Sequence, residues 1–201
     1  MTELAGKLDL DSCPYCSVNR PNLTLATRFN TTSHSGRNPR TWGGYFCQNC
    51  GGVVLIAVPE GSRVAQEVFP APLQPDPEVP ETAREYLGQA MRSLHAPAGC
   101  IMLAGSSVDA MLKAKGKKEG SLYSRIDGAA KEHLITQEMS RWAHEVRLDA
   151  NDQRHADENA SLPTEEDARR CLDFCIALGK FLFVLPARVQ RGLAEASRKS
   201  P

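Results

Sequence analysis

Two cysteine pairs, Cys13-Pro14-Tyr15-Cys16 and Cys47-Gln48-Asn49-Cys50, constrain this chain more than any other feature. Each pair has a two-residue spacer, 30 residues separate the pairs, and Gly51-Gly52 follows the second. A two-residue spacer lets a tight turn aim both thiolates at one ion, and four thiolates complete a tetrahedral shell. The pattern therefore predicts Zn²⁺ held by Cys13, Cys16, Cys47 and Cys50. Such an ion is structural: with every coordination position filled, it can fold a small sheet but cannot present water or substrate. Glycine after the second pair suits the turn, where positive φ is needed. Two disulfides or four unrelated thiols are the competing readings.

At 201 residues and 41% hydrophobic content, the chain can bury one substantial core beside a metal-held appendage, so two domains are expected. With 24 basic and 24 acidic residues the formal charge is zero, and any nucleic-acid surface has to be local. Met1-Thr2-Glu3-Leu4 lacks the basic and apolar segments of a secretion signal, and the longest apolar run, Phe181 to Leu185, is too short to span a bilayer. A cytoplasmic, reducing setting with no membrane partner is the resulting expectation. Cys100, Cys171 and Cys175 lie outside the knuckles and read as small buried apolar residues.

Between the knuckles, Leu23 to Phe29 alternates apolar and polar residues as a half-buried strand does. Thr41–Phe46 leads into the second knuckle, Val53–Val58 leaves it, and Arg63–Phe69 can return, giving a three- or four-stranded antiparallel zinc ribbon over residues 1–70 with its tip at Asn30–Pro39. Prolines 70, 72, 75, 77 and 80 make 71–80 a semi-rigid linker.

From 81 to 201 the periodicity is helical. Pro80-Glu81-Thr82 opens a first helix whose Tyr86, Leu87, Ala90, Met91 and Leu94 share a face. A second covers Ala98–Leu112, a third Ser121–His133 and a fourth starts at Gln137. Thr164, followed by Glu165-Glu166-Asp167, predicts a capped helix start. That last helix is expected to end or kink before Pro186, leaving a basic tail with Arg188, Arg191, Arg198 and Lys199. The fold class is α+β: a small ribbon, then an all-α bundle of four or five helices.

The densest polar cluster runs from Arg141 to Asp157. If the helix continues through it, Arg147, Asn151 and His155 form one stripe at i, i+4 and i+8, with His144 and Arg154 flanking and Trp142 as a core anchor. Imidazole, amide and guanidinium together suit attack of a 2′-hydroxyl on its own phosphodiester, since His moves a proton near neutral pH and Arg stabilises charge on phosphate. A turn at Asn151-Asp152 would scatter the stripe. The same groups can equally be structural, His155 as a buried hydrogen-bonding tie and Arg147 as a packing clamp.

Leu122 to His155, with Arg125-Ile126-Asp127, Ile135-Thr136, Trp142-Ala143-His144, Arg147, Asn151 and His155, resembles a helical domain of unknown function in the HEPN clan, found alone, behind zinc ribbons, or attached to bacterial restriction and defence proteins. The resemblance spans roughly 80–185. It implies a homodimer, a bacterial or phage defence or RNA-processing context and, in catalytic members, a metal-independent endoribonuclease whose Arg and His meet at a dimer cleft. His155 would take the histidine position, Asn151 the polar one, and Arg147 or Arg154 the arginine. Ala150 replaces the glycine usual before that Asn, and Arg147 stands seven intervening residues before His155, longer than the usual spacing.

From Ser12 to Pro59 the chain carries Arg20, Arg28, Arg37 and Arg40 and no Asp or Glu, interleaved with Phe29, Trp42, Tyr45 and Phe46. Guanidinium groups beside aromatic faces, Trp42 above all, can hold phosphates and stack bases of RNA or another single strand. Equally, the aromatics can line a small core while the arginines offset the charge of the metal site, or the surface can take a protein partner. The functional expectation is a module that binds nucleic acid or a protein, with the endoribonuclease and a purely dimerising scaffold as alternatives.

Overall fold

The computed structural model describes residues 3–155 and 161–199, apart from the side chains of 152–155 and 199. The chain divides into two compact units, residues 1–73 and 74–201.

The first unit is a five-stranded antiparallel sheet in sequence order: β1 (Lys7–Leu8), β2 (Leu23–Thr31), β3 (Arg40–Cys47), β4 (Val53–Pro59) and β5 (Glu67–Phe69). The three central strands stand where alternation in Leu23–Phe29 and the position of the second knuckle place them. The expected return strand at 63–69 is shorter, and β1 is an addition. Its two residues pair with Thr24 and Leu23, too short a run to show periodicity. The N-terminal segment also bonds the far edge, where Glu3 bridges Val64 and the Leu4 amide donates to the Arg63 carbonyl at 2.8 Å. It crosses one face of the sheet and ties both edges, so neither is left open there. Beneath it lies a small core of Leu8, Leu23, Tyr45, Val54 and Ile56. Tyr45 is fully buried, its hydroxyl donating to the Ala5 carbonyl at 2.7 Å. Gly43 is small out of necessity, because a Cβ there would meet Leu4 at 2.5 Å and the Tyr45 ring at 2.8 Å.

The second unit contains α1 (Glu81–Arg92), α2 (Pro97–Ala114), α3 (Leu122–Lys131), α4 (Gln137–His155) and α5 (Glu165–Gly179). A π-helical segment, Lys180–Val184, continues α5 into α6 (Leu185–Lys199). The apolar α2 lies centrally, burying Cys100, Ile101, Ala104, Val108, Met111 and Leu112. Ser107, buried on the same helix, donates to the Ala83 carbonyl at 2.9 Å and locks α2 to α1. Gly105 lets α4 approach: a Cβ there would stand 2.8 Å from that of Ala150. Ser121 caps α3 by accepting the Ser124 amide. Thr164 caps α5 in a full capping box, the Asp167 amide donating to its hydroxyl and its own amide to the Asp167 carboxylate at 2.8 Å.

Three helical expectations need correction. Of the end or kink expected before Pro186, the end does not occur. Pro186 has no N–H for the carbonyl four residues back, and the preceding turn widens to π geometry, with the Leu185 amide bonded to the Lys180 carbonyl, so helical structure continues into α6. The basic tail is therefore helix α6. Trp142 is 41% exposed and rests against Phe174 at 5.1 Å, since Ala143, Val146 and Ala150 are the α4 residues aimed at the core.

Among the described residues no helix is long and apolar enough to cross a membrane.

Candidate functional site

The knuckles are two copies of one backbone device. The Cys13 amide donates to the Val18 carbonyl at 3.0 Å and the Ser17 amide to the Cys13 carbonyl at 3.0 Å. At the second knuckle Cys47 bonds Gly52 at 2.9 Å and Gly51 bonds Cys47 at 2.8 Å in the same pattern. The equivalent turn residues, Ser17 and Gly51, both have positive φ, 56° and 73°. Tyr15 covers Gly52, its hydroxyl donating to the Val53 carbonyl at 2.9 Å, so its ring fills the space a side chain at Gly52 would need.

These turns bring the four cysteine sulfurs within 4.8 Å of one another. All four are free thiols, and Sγ of Cys13 and Cys50 are 3.8 Å apart. A tetrahedron with metal–sulfur bonds of about 2.3 Å has edges of about 3.8 Å, so the cluster is sized for one such cation. Amides already point at the sulfurs: Tyr15 N–H at Cys13, Gly52 N–H at Cys50 and the Asn49 side-chain amide at Cys16, each at 3.4 Å. Burial pushes the Cys13 thiol up to about 12 and raises that of Cys50. At Cys16 burial also opposes ionisation, but the Asn49 amide and the Val18 backbone outweigh it and bring the thiol down to about 7. Four thiolates this close need a cation at their centre to ionise together. The donor set fits a metal ion.

The arginines of the sheet do not form one surface. Arg20 lies in the first knuckle loop with φ of 46°, its amide bonded to the Asp11 carbonyl, and Arg37 lies in the β2–β3 connection. Arg28 pairs across from Gly43, whereas Phe29 pairs across from Trp42, so Arg28 projects from the face opposite to Trp42. Arg40 shares the Trp42 face and is held by Glu67 at 2.7 Å. On that face Phe29, Trp42 and Phe69 form a stripe with ring centroids 6.1 Å apart at each step, and the Trp42 indole N–H donates to the Thr31 hydroxyl at 2.8 Å.

In the helical unit, α4 continues unbroken through Asn151-Asp152 to His155, so the backbone carries residues 147, 151 and 155 on one stripe. The side chains of Arg154 and His155 lie outside the described residues. Arg147 and Asn151 line a cleft of about 400 Å³ between α2, α3 and α4, together with Ser106, Asp109, Tyr123 and Arg125. The Arg147 guanidinium sits over the Tyr123 ring, 5.3 Å from its centroid, and its Nε is buried with no hydrogen-bond partner among the described residues. Arg125 is engaged, its Nε donating to Asp109 at 2.8 Å and another nitrogen to the Gly120 carbonyl, which pins the loop before α3. Asp109 also receives Lys113 at 2.6 Å. The single carboxylate of the lining is thus spoken for, and Arg147 is the charge left for a ligand. Behind it, His144 Nε2 meets Asp127 at 3.0 Å and its ring packs 4.7 Å from Tyr123, which makes His144 a support of that wall.

Tyr123, Asp109 and Arg125 are functional candidates with no signature in sequence spacing, because they join Arg147 of α4 only when α2 and α3 pack against that helix. Cys100, Cys171 and Cys175 are buried; burial pushes the first two thiols up to about 12 and the third well above its usual range, as expected of core residues.

No curated protein and no solved structure matches the chain. A family model, Domain of unknown function (DUF4145), matches residues 88–196, which takes in most of the helical unit and both walls of the Arg147 cleft. The chain thus belongs to the DUF4145 family and carries, ahead of that domain, an antiparallel sheet with a four-cysteine cluster.

Proposed function

We propose that this protein is an RNA-binding module in which a structural Zn²⁺ on Cys13, Cys16, Cys47 and Cys50 fixes the sheet unit, while a HEPN-like helical unit receives a phosphate at Arg147. Arg147 carries the reading: a guanidinium backed by an aromatic ring, with a buried unpartnered Nε in a cleft large enough for a nucleotide. A phosphate there can supply the missing acceptor once the side chain turns its buried Nε toward the cleft, and Tyr123, 51% exposed, offers a ring to a neighbouring base. The context we infer, from the resemblance of the helical run to HEPN domains, is bacterial or phage defence or RNA processing in the cytoplasm. Anisotropy of a labelled single-stranded RNA, titrated at several salt concentrations, tests the reading. Wild type should bind with a negative salt slope, Arg147→Gln should bind far more weakly, and Arg28→Glu/Arg40→Glu should change affinity less. Absence of binding at low salt would leave a protein-binding or scaffold role.

A second reading, a metal-independent endoribonuclease, is supported by the unbroken course of α4 through His155. In it His155 moves the proton of the 2′-hydroxyl, Arg147 or Arg154 stabilises the phosphorane charge and Asn151 orients the phosphate across a homodimer cleft. Cleavage in EDTA leaving 2′,3′-cyclic ends, lost in His155→Ala, would establish it. RNA recovered intact would leave the binding role alone.

A further inference from the structure

We propose that α6 is a self-association helix, pairing antiparallel with α6 of a second copy of this chain across a two-fold axis at Gly192. This inference is independent of what occupies the Arg147 cleft. From Leu185 to Arg198 every residue except half-buried Ala187 is exposed. Leu185, Val189 and Leu193, at i, i+4 and i+8, are 51%, 60% and 64% exposed. Phe181, one turn earlier, and Ala196 extend the stripe. A helix of this length gains little from backbone bonding alone and relies on burial of its apolar face. Within the described residues that face has no cover.

Charge placement selects the occupant. Arg188 and Glu195 are seven residues apart, which puts them on the same flank of the stripe. The opposite flank carries neutral Gln190 and Ser197. Neither Arg188 nor Glu195 has an ion-pair partner among the described residues, whereas Arg191, on the back of the helix, is held by Glu78. In a parallel pair, one flank meets the other and these charges find nothing. In an antiparallel pair, like flanks meet. Arg188 lies four residues before Gly192 and Glu195 three after it, so crossing at Gly192 sets each Arg188 against the partner's Glu195, twice by symmetry. Gly192 has open space where a Cβ would stand, which permits close approach of the two backbones at the axis. Glu195 interrupts a flank that otherwise carries Arg188 and Lys199, whereas a helix built to lie on an anionic membrane would keep that flank basic throughout.

Sedimentation equilibrium of the full chain tests the pairing. Wild type should be a dimer, and Val189→Asp a monomer whose far-ultraviolet circular dichroism loses no more than the contribution of α6. Glu195→Arg replaces two attractions by two repulsions and should weaken the dimer about tenfold or more. The swap Arg188→Glu/Glu195→Arg restores both pairs and should return affinity to within about threefold of wild type. A wild-type monomer at about 100 µM, far above the dissociation constant of a specific dimer, would overturn the proposal. So would a dimer indifferent to Val189→Asp, a swap that fails to rescue, or a monomer that binds phosphatidylserine vesicles through Val189.

Discussion

The guanidinium of Arg147, on α4, lies over the ring of Tyr123, on α3, 5.3 Å from its centroid. The ring holds the cation against the cleft wall and shields one side from water, so an incoming phosphate meets a positioned donor. Arg147→Gln removes one phosphate contact and should reduce the salt slope of single-stranded RNA binding by about 0.7. Tyr123→Ala should cost about 1–3 kcal/mol in binding, and Tyr123→Phe much less. Anisotropy across a salt series reads both.

With the proposed Zn²⁺ on the four thiolates, its withdrawal should unfold the sheet unit selectively. Its core is small, and its two knuckles meet at the cluster and at the Tyr15 contact with Gly52 and Val53, little to hold them once the thiolates repel. A strong chelator should expose residues of 1–73 to protease while the helical unit keeps its far-ultraviolet circular dichroism. Acidification should release the metal too, because protons compete for the thiolates. Gly51→Ala, at φ of 73° with open space around it, isolates the backbone term and should cost about 1 kcal/mol.

Gly105 and Ala150 set the separation of α2 and α4. In Gly105→Ala the new Cβ would stand 2.8 Å from Ala150, with no flexible side chain to give way. Helix propensity favours the substitution by about 1 kcal/mol, and overpacking opposes it by about 1–3 kcal/mol. We expect net destabilisation in chemical denaturation, with weaker RNA binding because the cleft walls part.

Two carboxylates respond to pH with opposite sign. Asp167 is held below its usual range by the Thr164 side chain and backbone, so its contribution is present above the unfolded-state pKa and is lost as pH falls through the folded one. Thr164→Ala should cost about 1 kcal/mol at neutral pH. Asp149 is raised, mainly by burial, against the lowering effect of the Cys171 thiol that donates to it at 3.6 Å. Its contribution is complete below the unfolded-state pKa and declines as pH rises through the folded one. Asp149→Asn should therefore stabilise the protein at neutral pH. Thermal melts of both variants from pH 3 to 8 separate the signs.

The sequence made legible what is encoded locally. The cysteine spacing foretold a cluster that the fold assembles, alternation located β2, the second knuckle located β3 and β4 on either side of it, and Thr164 with Asp167 marked the start of α5. Features that depend on distant packing were hidden. The two residues of β1 are specified by the edge they pair with, and Trp142 falls outside the core because its neighbour Ala143 faces inward. Pro186 predicts an end or a kink, and a local rule does not foresee the π turn that accommodates its missing donor and lets the helix continue. Half of the cleft was visible as the Arg147–Asn151 spacing. Tyr123 and the Arg125–Asp109 pair were not, since they come from other helices. Arg28 and Arg40 looked like one patch until strand register put them on opposite faces.

Photo-crosslinking of the intact chain to a 4-thiouridine-substituted single strand, with peptide-level mapping, tests most directly where RNA sits. The cleft account predicts adducts on Tyr123 at the start of α3, suppressed in Arg147→Gln. Adducts confined to the Phe29–Trp42–Phe69 stripe of the sheet, and unaffected by Arg147→Gln, would contradict it.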